Sequence, residues 1–372
     1  MRHKNFRAIY TRCDENFYAD PDSYRDWLKN NNKIQMKKLI FLFSFFTLSF
    51  CVIAQDDPKT LHQTVRGFMA QADWDNAILV LNRLLQADKN NLEYNKDLIQ
   101  CYYFKRDFEK AVEGVKAIIN RDDADVMTFQ LAGNVYKALE DPKECEKIYK
   151  AGLKKFPKSG PIYSEYGELL WQKKDYSAID LWEKGIEIDP AFSGNYYNAA
   201  LYYFYTKDKV WSLIYGEIFV NMESLSQRGA AMKELVFKGY KEKLFKEANL
   251  MKGEENNKSP FAKAFLEAMS KQSSLVSKGV TTASLTMIRT RFILDWYEAN
   301  AVKYPHRLFD YHQQLLREGM FEAYNQWLFG TVENLTAYES WTRSHADEYK
   351  GFVAFQKARV FRIPAGQYYQ AK

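Results

Sequence analysis

The chain has 372 residues, of which 47% are hydrophobic and 16% aromatic, and its formal net charge at pH 7 is +6. The first 54 residues contain nine of the Lys and Arg residues and five of the Asp and Glu residues, so the remainder is nearly neutral, at +2. Nucleic acids bind to concentrated positive charge, so this balance excludes nucleic acid as a predicted partner.

The amino-terminal part divides into two predicted segments. Residues 1–35 are polar and aromatic without periodicity, and we interpret them as an extension upstream of the natural start at Met36. Two lysines follow Met36, and then sixteen uncharged residues end at Ala54. A basic start, a short apolar run and a small residue at the cleavage position are the parts of a signal peptide. Residues 36–54 are therefore predicted to be a signal peptide, and the protein to be exported.

Two alternatives for this segment are less favoured. One is an internal membrane anchor, but sixteen residues fall short of the ~20 that cross a bilayer as a helix. The other is a lipid anchor on Cys51, but Phe50 stands where lipidation signals carry Gly or Ala. The segment resembles signal peptides of Gram-negative Bacteroidota. That resemblance implies a periplasmic or outer-envelope location, with membrane contact only through the signal segment if it is retained.

The following region repeats five times with a period of 34 residues. Small side chains recur at intervals of 34, 34, 33 and 34, and mostly aromatic side chains at intervals of 34, 34, 34 and 33. Such a period predicts stacked helical hairpins, each of which needs its neighbour to cover its apolar face. The two columns are Ala77, Ala111, Cys145, Ala178 and Ser212, and Phe68, Tyr102, Tyr136, Leu170 and Tyr203.

Each unit reads as two amphipathic helices joined by a tight turn. In the second unit, apolar residues at helical spacing stop at Lys105 and resume at Phe108. Ala111 is predicted to lie where the second helix crosses the first, because a small side chain lets the backbones approach. Pro157 and Pro190 follow second helices, where a residue without an amide donor stops a helix.

The third and fourth units carry a recognisable motif. The third contains Phe129, Gly133, Tyr136, Cys145 and Pro157 at positions that resemble the tetratricopeptide repeat. The other units depart more from that pattern. The resemblance covers residues 58–225 and implies a right-handed α-solenoid of about five helical hairpins.

In tetratricopeptide arrays, outward positions of the first helices line a concave groove that binds a protein or peptide. The resemblance carries this role to thirteen residues here. Their composition predicts a ligand with an acidic or amide-bearing segment followed by apolar anchors. They are His62, Arg66, Lys96, Gln100, Tyr103, Gln130, Asn134, Lys137, Ser164, Glu168, Trp171, Tyr197 and Phe204.

After Ser224 the period disappears, although helical patterning continues. Helices are predicted around Leu235 to Leu244, from Phe261, and from Thr286 to Ala301. Leu315 to Tyr324 resembles a repeat turn that enters its second helix, and the tail from Ile363 is predicted to be irregular. Residues 226–372 then either cap the array or form a second helical module.

Four common motifs of catalytic, metal-binding and phosphate-binding sites are absent from the sequence. It contains no His-Glu-x-x-His, no paired Cys-x-x-Cys, no glycine-rich phosphate loop and no nucleophile elbow. His306, Asp310, His312 and Glu318 are a candidate metal set, but their spacing favours a solvated surface, since helices present convergent ligands mainly at intervals of three or four residues. No cofactor, metal or enzymatic activity is predicted.

The sequence therefore predicts an exported, all-helical scaffold that binds a protein or peptide. Two other functions stay open. One is an envelope enzyme or assembly factor whose active module is the carboxy-terminal region, which requires a pocket where His306 or His312 meets carboxylates. The other is a purely structural spacer in an envelope complex.

Overall fold

The computed structural model describes residues 57–254 and 258–370, and every regular element in these ranges is helical. Close contacts divide the chain after Gln63, and the residues that follow form one compact unit. The interpreted extension, 1–35, and the predicted signal peptide, 36–54, lie outside the described residues.

The repeat region consists of five consecutive helix pairs, which confirms the predicted helical array. The first helix of each pair begins a period, and the second follows after a short turn. The first helices are α1 (Pro58–Ala70), α3 (Leu92–Phe104), α5 (Val126–Ala138), α7 (Gly160–Gln172) and α9 (Ser193–Phe204); the second helices are α2 (Trp74–Ala87), α4 (Phe108–Ile118), α6 (Pro142–Lys155), α8 (Ala178–Ile188) and α10 (Trp211–Met222).

Small residues hold the two helices of each pair close together. All five members of the small-residue column are fully buried, with side chains that expose 0% of their surface. In the third and fourth pairs, a glycine of the first helix faces an aromatic ring of the second, Gly133 against Tyr149 and Gly167 against Trp182. The predicted helix crossing therefore combines a small residue with a ring that fills the adjacent space.

The first helices of neighbouring pairs pack directly against one another. Helix α3 contacts α5, α5 contacts α7, and α7 contacts α9, in addition to the contacts between each second helix and the next first helix. Helices α3, α5, α7 and α9 therefore form a continuous layer, and all the predicted groove residues except His62 and Arg66 lie on these helices.

The carboxy-terminal part adds further helices that pack on the end of the array. Helix α11 contacts both α10 and the segment around residues 326–333, so the two parts share one apolar core. The elements are α11 (Gln227–Lys238) with a π-helical turn at Gly239–Leu244, α12 (Pro260–Ser270), a 3₁₀ turn at Ser273–Val276, α13 (Thr282–Ala299), α14 (Arg307–Arg317), α15 (Phe321–Asn325) with a π-helical turn at Gln326–Gly330, α16 (Thr331–Glu333), α17 (Leu335–Ser344) and α18 (Ala346–Lys357).

Sequence patterning located most of these elements. Helix α13 begins four residues before the predicted Thr286, because Thr281 and Ser284 form a reciprocal capping box that starts the helix there. The predicted hairpin near Leu315 is present as α14 and α15. The tail from residue 359 has no regular structure, also as predicted. Within the described ranges, no helix is both long enough and apolar enough to cross a membrane.

Candidate functional site

The predicted groove residues differ in how far they reach solvent. His62 is half-buried and precedes the division after Gln63, whereas Arg66 is exposed. Lys96 and Ser164 are buried, and Trp171 exposes 36% of its surface. The remaining members are half-buried on the first-helix layer, namely Gln100, Tyr103, Gln130, Asn134, Lys137, Glu168, Tyr197 and Phe204.

Lys96 connects two repeats and does not present a free charge to the groove. Its Nζ atom lies 2.6 Å from both Asp125 Oδ2 and Glu93 Oε1. Burial of Lys96 favours the neutral amine, but hydrogen bonds to the two carboxylates outweigh it and raise the pKa of Lys96. Asp125 also caps the start of α5, so this ion pair fixes α3 against α5.

Polar residues in the middle of the layer also pair with one another. Lys137 forms an ion pair with Glu165 of the next repeat, and the Tyr149 hydroxyl donates to the same carboxylate at 3.2 Å. These contacts neutralise Lys137, as the contacts of Lys96 neutralise that residue. An acidic ligand segment therefore has less positive charge available here than the sequence indicated.

An amide that the sequence did not single out organises the fourth and fifth repeats. Asn198 Nδ2 donates to Ser164 Oγ at 3.1 Å and to Glu168 Oε1 at 3.0 Å. Burial raises the pKa of Glu168, and the Asn198 bond offsets part of this shift. The signal for Asn198 was weak, because it lies one residue beyond the groove column that contains Tyr197.

Trp171, near the end of α7, is an exposed member of the predicted set and contacts two tyrosines outside that set. The Trp171 ring contacts Tyr202 edge-on, with centroids 5.6 Å apart, and Tyr176 edge-on at 5.8 Å. Tyr176 exposes 64% of its surface, and Tyr205, three residues after Tyr202, exposes 70%. Large aromatic side chains with polar groups are frequent anchors in protein interfaces. We call Trp171, Tyr176 and Tyr202 the aromatic cluster.

The candidate metal residues are dispersed in the structure. His306 is buried among Phe261 and Phe309, with ring centroids 5.4 and 4.8 Å away. Asp310 accepts a hydrogen bond from Tyr297, and Glu318 accepts one from Gln314 at 2.8 Å. In the part of the chain that the structure describes, no group of three or more His, Cys, Asp or Glu residues is arranged to hold a metal.

His312 belongs instead to a buried polar centre that the sequence did not reveal. Its Nε2 atom lies 2.7 Å from Glu217 Oε1, and Glu217 also pairs with Arg289. The Tyr324 hydroxyl donates to the same carboxylate oxygen at 2.7 Å, and Asn221 Nδ2 donates to Tyr324 at 2.7 Å. Each of these residues exposes at most 5% of its surface, so the charges of this centre compensate one another inside the core.

Comparison with known families gives a match within the repeat region. Residues 68–127 match the family model described as tetratricopeptide repeat. The matched segment runs from the end of the first helix pair's opening helix to the start of the third pair. No curated protein matches the chain in sequence.

Several solved repeat proteins resemble the chain at low sequence identity. A tetratricopeptide repeat protein from Thermus thermophilus is 12% identical, with 47% of this chain and 98% of that chain covered and a TM-score of 0.41. One from Parabacteroides merdae is 14% identical, with 69% and 98% covered and a TM-score of 0.38. YrrB, described as a tetratricopeptide repeat protein with an unusual peptide-binding site, is 15% identical, with 48% and 92% covered and a TM-score of 0.34.

Proposed function

We propose that this protein is a protein–protein interaction scaffold of the bacterial cell envelope. Its first-helix layer binds an extended protein or peptide segment, and the aromatic cluster anchors that segment. The observation that supports this most directly is the exposure of Trp171 and Tyr176 beside a layer in which Lys96 and Lys137 are already paired with carboxylates. The ligand segment is therefore expected to be apolar or aromatic at its anchor and to hydrogen-bond with the amides along the groove.

A displayed library of random peptides tests this binding surface. The full chain from Gln55 is the bait, compared with the double variant Trp171→Ala, Tyr176→Ala. The wild-type chain should enrich peptides that the double variant binds at least roughly tenfold more weakly, because loss of two central aromatic anchors removes most of a hot spot.

Trp341→Ala is the matched control. Trp341 lies on α17, is half-buried and stacks on His345, with ring centroids 4.5 Å apart. This variant should bind the selected peptides as the wild type does. Loss of binding in the control alone would place the peptide-binding site in the carboxy-terminal region. Equal binding by all three chains would exclude the aromatic cluster as the binding site.

Export is part of the proposal and has its own test. The basic start at Met36 and the uncharged run that ends at Ala54 support it. Sequencing the amino terminus of the protein purified from its native cell should give Gln55 as the first residue. Recovery of a chain that retains residues 36–54 would contradict cleavage.

A further inference from the structure

A cavity of about 610 Å³ opens between the fourth and fifth repeats and the carboxy-terminal tail. Glu183, Asp180 and Lys184 of α8 line it, together with three tyrosines from other parts of the chain. The volume lies within the range typical of small-ligand pockets. None of these residues belongs to the predicted groove. The tyrosines are Tyr163, Tyr203 and Tyr368.

The carboxylate of Glu183 is nearly inaccessible, with 7% of the residue exposed. The hydroxyls of Tyr203 and Tyr215 donate to its two oxygens at 2.8 and 2.9 Å. Gln370 Nε2 donates to Tyr203 at 2.5 Å and approaches Glu183 Oε1 at 3.4 Å. Neutral donors from three elements thus orient a buried acid at the wall of the cavity.

Glu183 lacks a cationic partner among the described residues. The adjacent Lys184 pairs with Glu187, with 2.8 Å between Nζ and Oε2. Burial raises the pKa of Glu183 to about 7, although the tyrosine and glutamine donors favour its charged form. Because no cation of the protein neutralises Glu183, its negative charge is available to a cation that enters the cavity.

The tail residues in this cavity are held firmly in place. Ser259 Oγ donates to the Tyr369 carbonyl at 3.0 Å, and the Tyr369 hydroxyl donates to the Pro305 carbonyl at 2.7 Å. The Tyr369 ring also stacks on Phe261, with centroids 5.0 Å apart and planes 5° from parallel. The neighbouring Tyr368 therefore forms a fixed wall of the cavity.

We propose that this cavity binds the guanidinium or ammonium group of an organic cation, with Glu183 as its counter-ion and the tyrosine rings as its walls. Aromatic faces attract organic cations through their quadrupoles, and a carboxylate supplies the opposing charge. Asp180 lies one turn from Glu183 on the same face of α8 and adds negative charge to the lining, whereas the charge of Lys184 is paired with Glu187. The cation comes either from a free amine or from an arginine or lysine side chain of a partner peptide.

Calorimetric titration of the full chain tests the site. The probes are N-acetyl-arginine amide and its neutral isostere N-acetyl-citrulline amide. The arginine probe should bind at least roughly tenfold more tightly, since only it carries the charge that Glu183 compensates. Equal affinity for the two probes, or no heat from either at millimolar concentration, would overturn the proposal.

Agmatine and the blocked peptide acetyl-Gly-Arg-Gly-amide distinguish the two sources of the cation. Agmatine is a free amine, and the peptide presents the same guanidinium on a backbone. Tighter binding of agmatine assigns the site to a free amine, and tighter binding of the peptide assigns it to a side chain of a partner. Either result retains the cation site.

Variants separate a binding role from a structural one. Glu183→Gln should weaken the arginine probe at least roughly tenfold, whereas Glu234→Gln, which removes the same charge from an exposed position of α11, should leave binding unchanged. If Glu183→Gln fails to fold, Tyr368→Ala and Asp180→Asn replace it, because both residues are less buried. Each of these variants should also weaken binding of the arginine probe. Unchanged affinity in both of these folded variants would exclude the cavity as the binding site.

Discussion

The glycines of the first helices show how one missing side chain determines a helix crossing. A Cβ atom on Gly167 would lie 2.3 Å from Trp182 Nε1, and one on Gly133 would lie 2.3 Å from the Tyr149 hydroxyl. Trp182 Nε1 also donates to the Ser164 carbonyl at 3.2 Å, so the ring is not free to withdraw. Glycine at these positions is therefore a packing requirement, despite its low helix propensity.

Gly167→Ala is expected to destabilise the protein by about 1–3 kcal/mol, because the added methyl group overpacks the crossing. Urea denaturation followed by circular dichroism measures this change. Gly67→Ala is the matched control, since a Cβ atom there has no neighbour within 4 Å. The control should be neutral or slightly stabilising, and equal loss in both variants would refute the packing explanation.

Glu183 makes the stability depend on pH. Burial raises the pKa of Glu183 to about 7 in the folded state, above its value in an unfolded chain. The folded state therefore binds this proton more tightly. The stabilisation that this tighter proton binding gives to the folded state is complete below about pH 4, and it is lost as the pH rises through 7.

We expect Glu183→Gln to remove this component of the pH dependence. Between pH 5 and pH 8 the wild-type chain should lose roughly 1–3 kcal/mol more stability than the variant. Denaturation curves at both pH values, compared pairwise, isolate the contribution of Glu183 from that of other titrating groups. Parallel losses in the two chains would show that Glu183 does not titrate in this range.

At the scale of elements, the turn inside each of the first four helix pairs follows one design. In each turn, a residue with positive φ precedes an aspartate. The backbone amide of that aspartate donates to the carbonyl of the residue in the mostly aromatic column, as Asp107 does to Tyr102 at 2.9 Å. The aspartate side chain then caps the second helix in the first three pairs. The four positive-φ residues are Ala72, Arg106, Glu140 and Lys174, with φ of 57°, 60°, 55° and 60°.

The same turn closes the hairpin in the carboxy-terminal part. Gly319 has φ of 69°, and the Met320 amide donates to the Leu315 carbonyl at 2.8 Å. Glycine adopts this conformation without the steric cost that a Cβ atom adds. This identity of geometry explains why the sequence around Leu315 resembled a repeat turn.

Arg106→Gly should therefore stabilise the protein by about 0.5–1 kcal/mol, since glycine relieves the left-handed strain at an exposed position. Thermal denaturation measures the gain. Lys105→Gly is the control from the same turn, where φ is −72° and glycine offers no relief. A gain in the control, or a loss in Arg106→Gly, would contradict the strain argument.

At the scale of the whole molecule, the buried polar centre joins the array to the carboxy-terminal part. Glu217 belongs to α10 and Arg289 to α13, 72 residues apart, so this ion pair crosses the predicted boundary at residue 226. Burial opposes the charge on Glu217, but Arg289 and His312 outweigh it and hold the pKa of Glu217 well below its usual range. Breaking the pair leaves a buried charge without compensation.

Arg289→Met is expected to lower the free energy of unfolding by about 3–5 kcal/mol. The double variant Arg289→Met, Glu217→Leu should recover most of this loss, because apolar packing then replaces the ion pair. Chemical denaturation should give one transition for both parts in the wild type. Lys184→Met, which removes a half-buried ion pair with Glu187 near the surface, should leave the transition nearly unchanged. Two separate transitions, with Arg289→Met shifting only one, would show that the parts are independent.

The sequence by itself determined the repeating architecture. The period of 34, the small-residue column and the mostly aromatic column predicted five helix pairs and the crossing at Ala111. This was accessible because each unit makes the same short-range contacts, so the same side chains recur at a fixed spacing.

Only the tertiary structure decided how individual polar residues are used. Lys96 had the position of a groove residue, but its ammonium group forms an ion pair with Asp125 of the next unit. Gln370 reaches Glu183 across 187 residues of sequence. Such partners meet because packing brings distant segments together, and no local spacing in the chain records that approach.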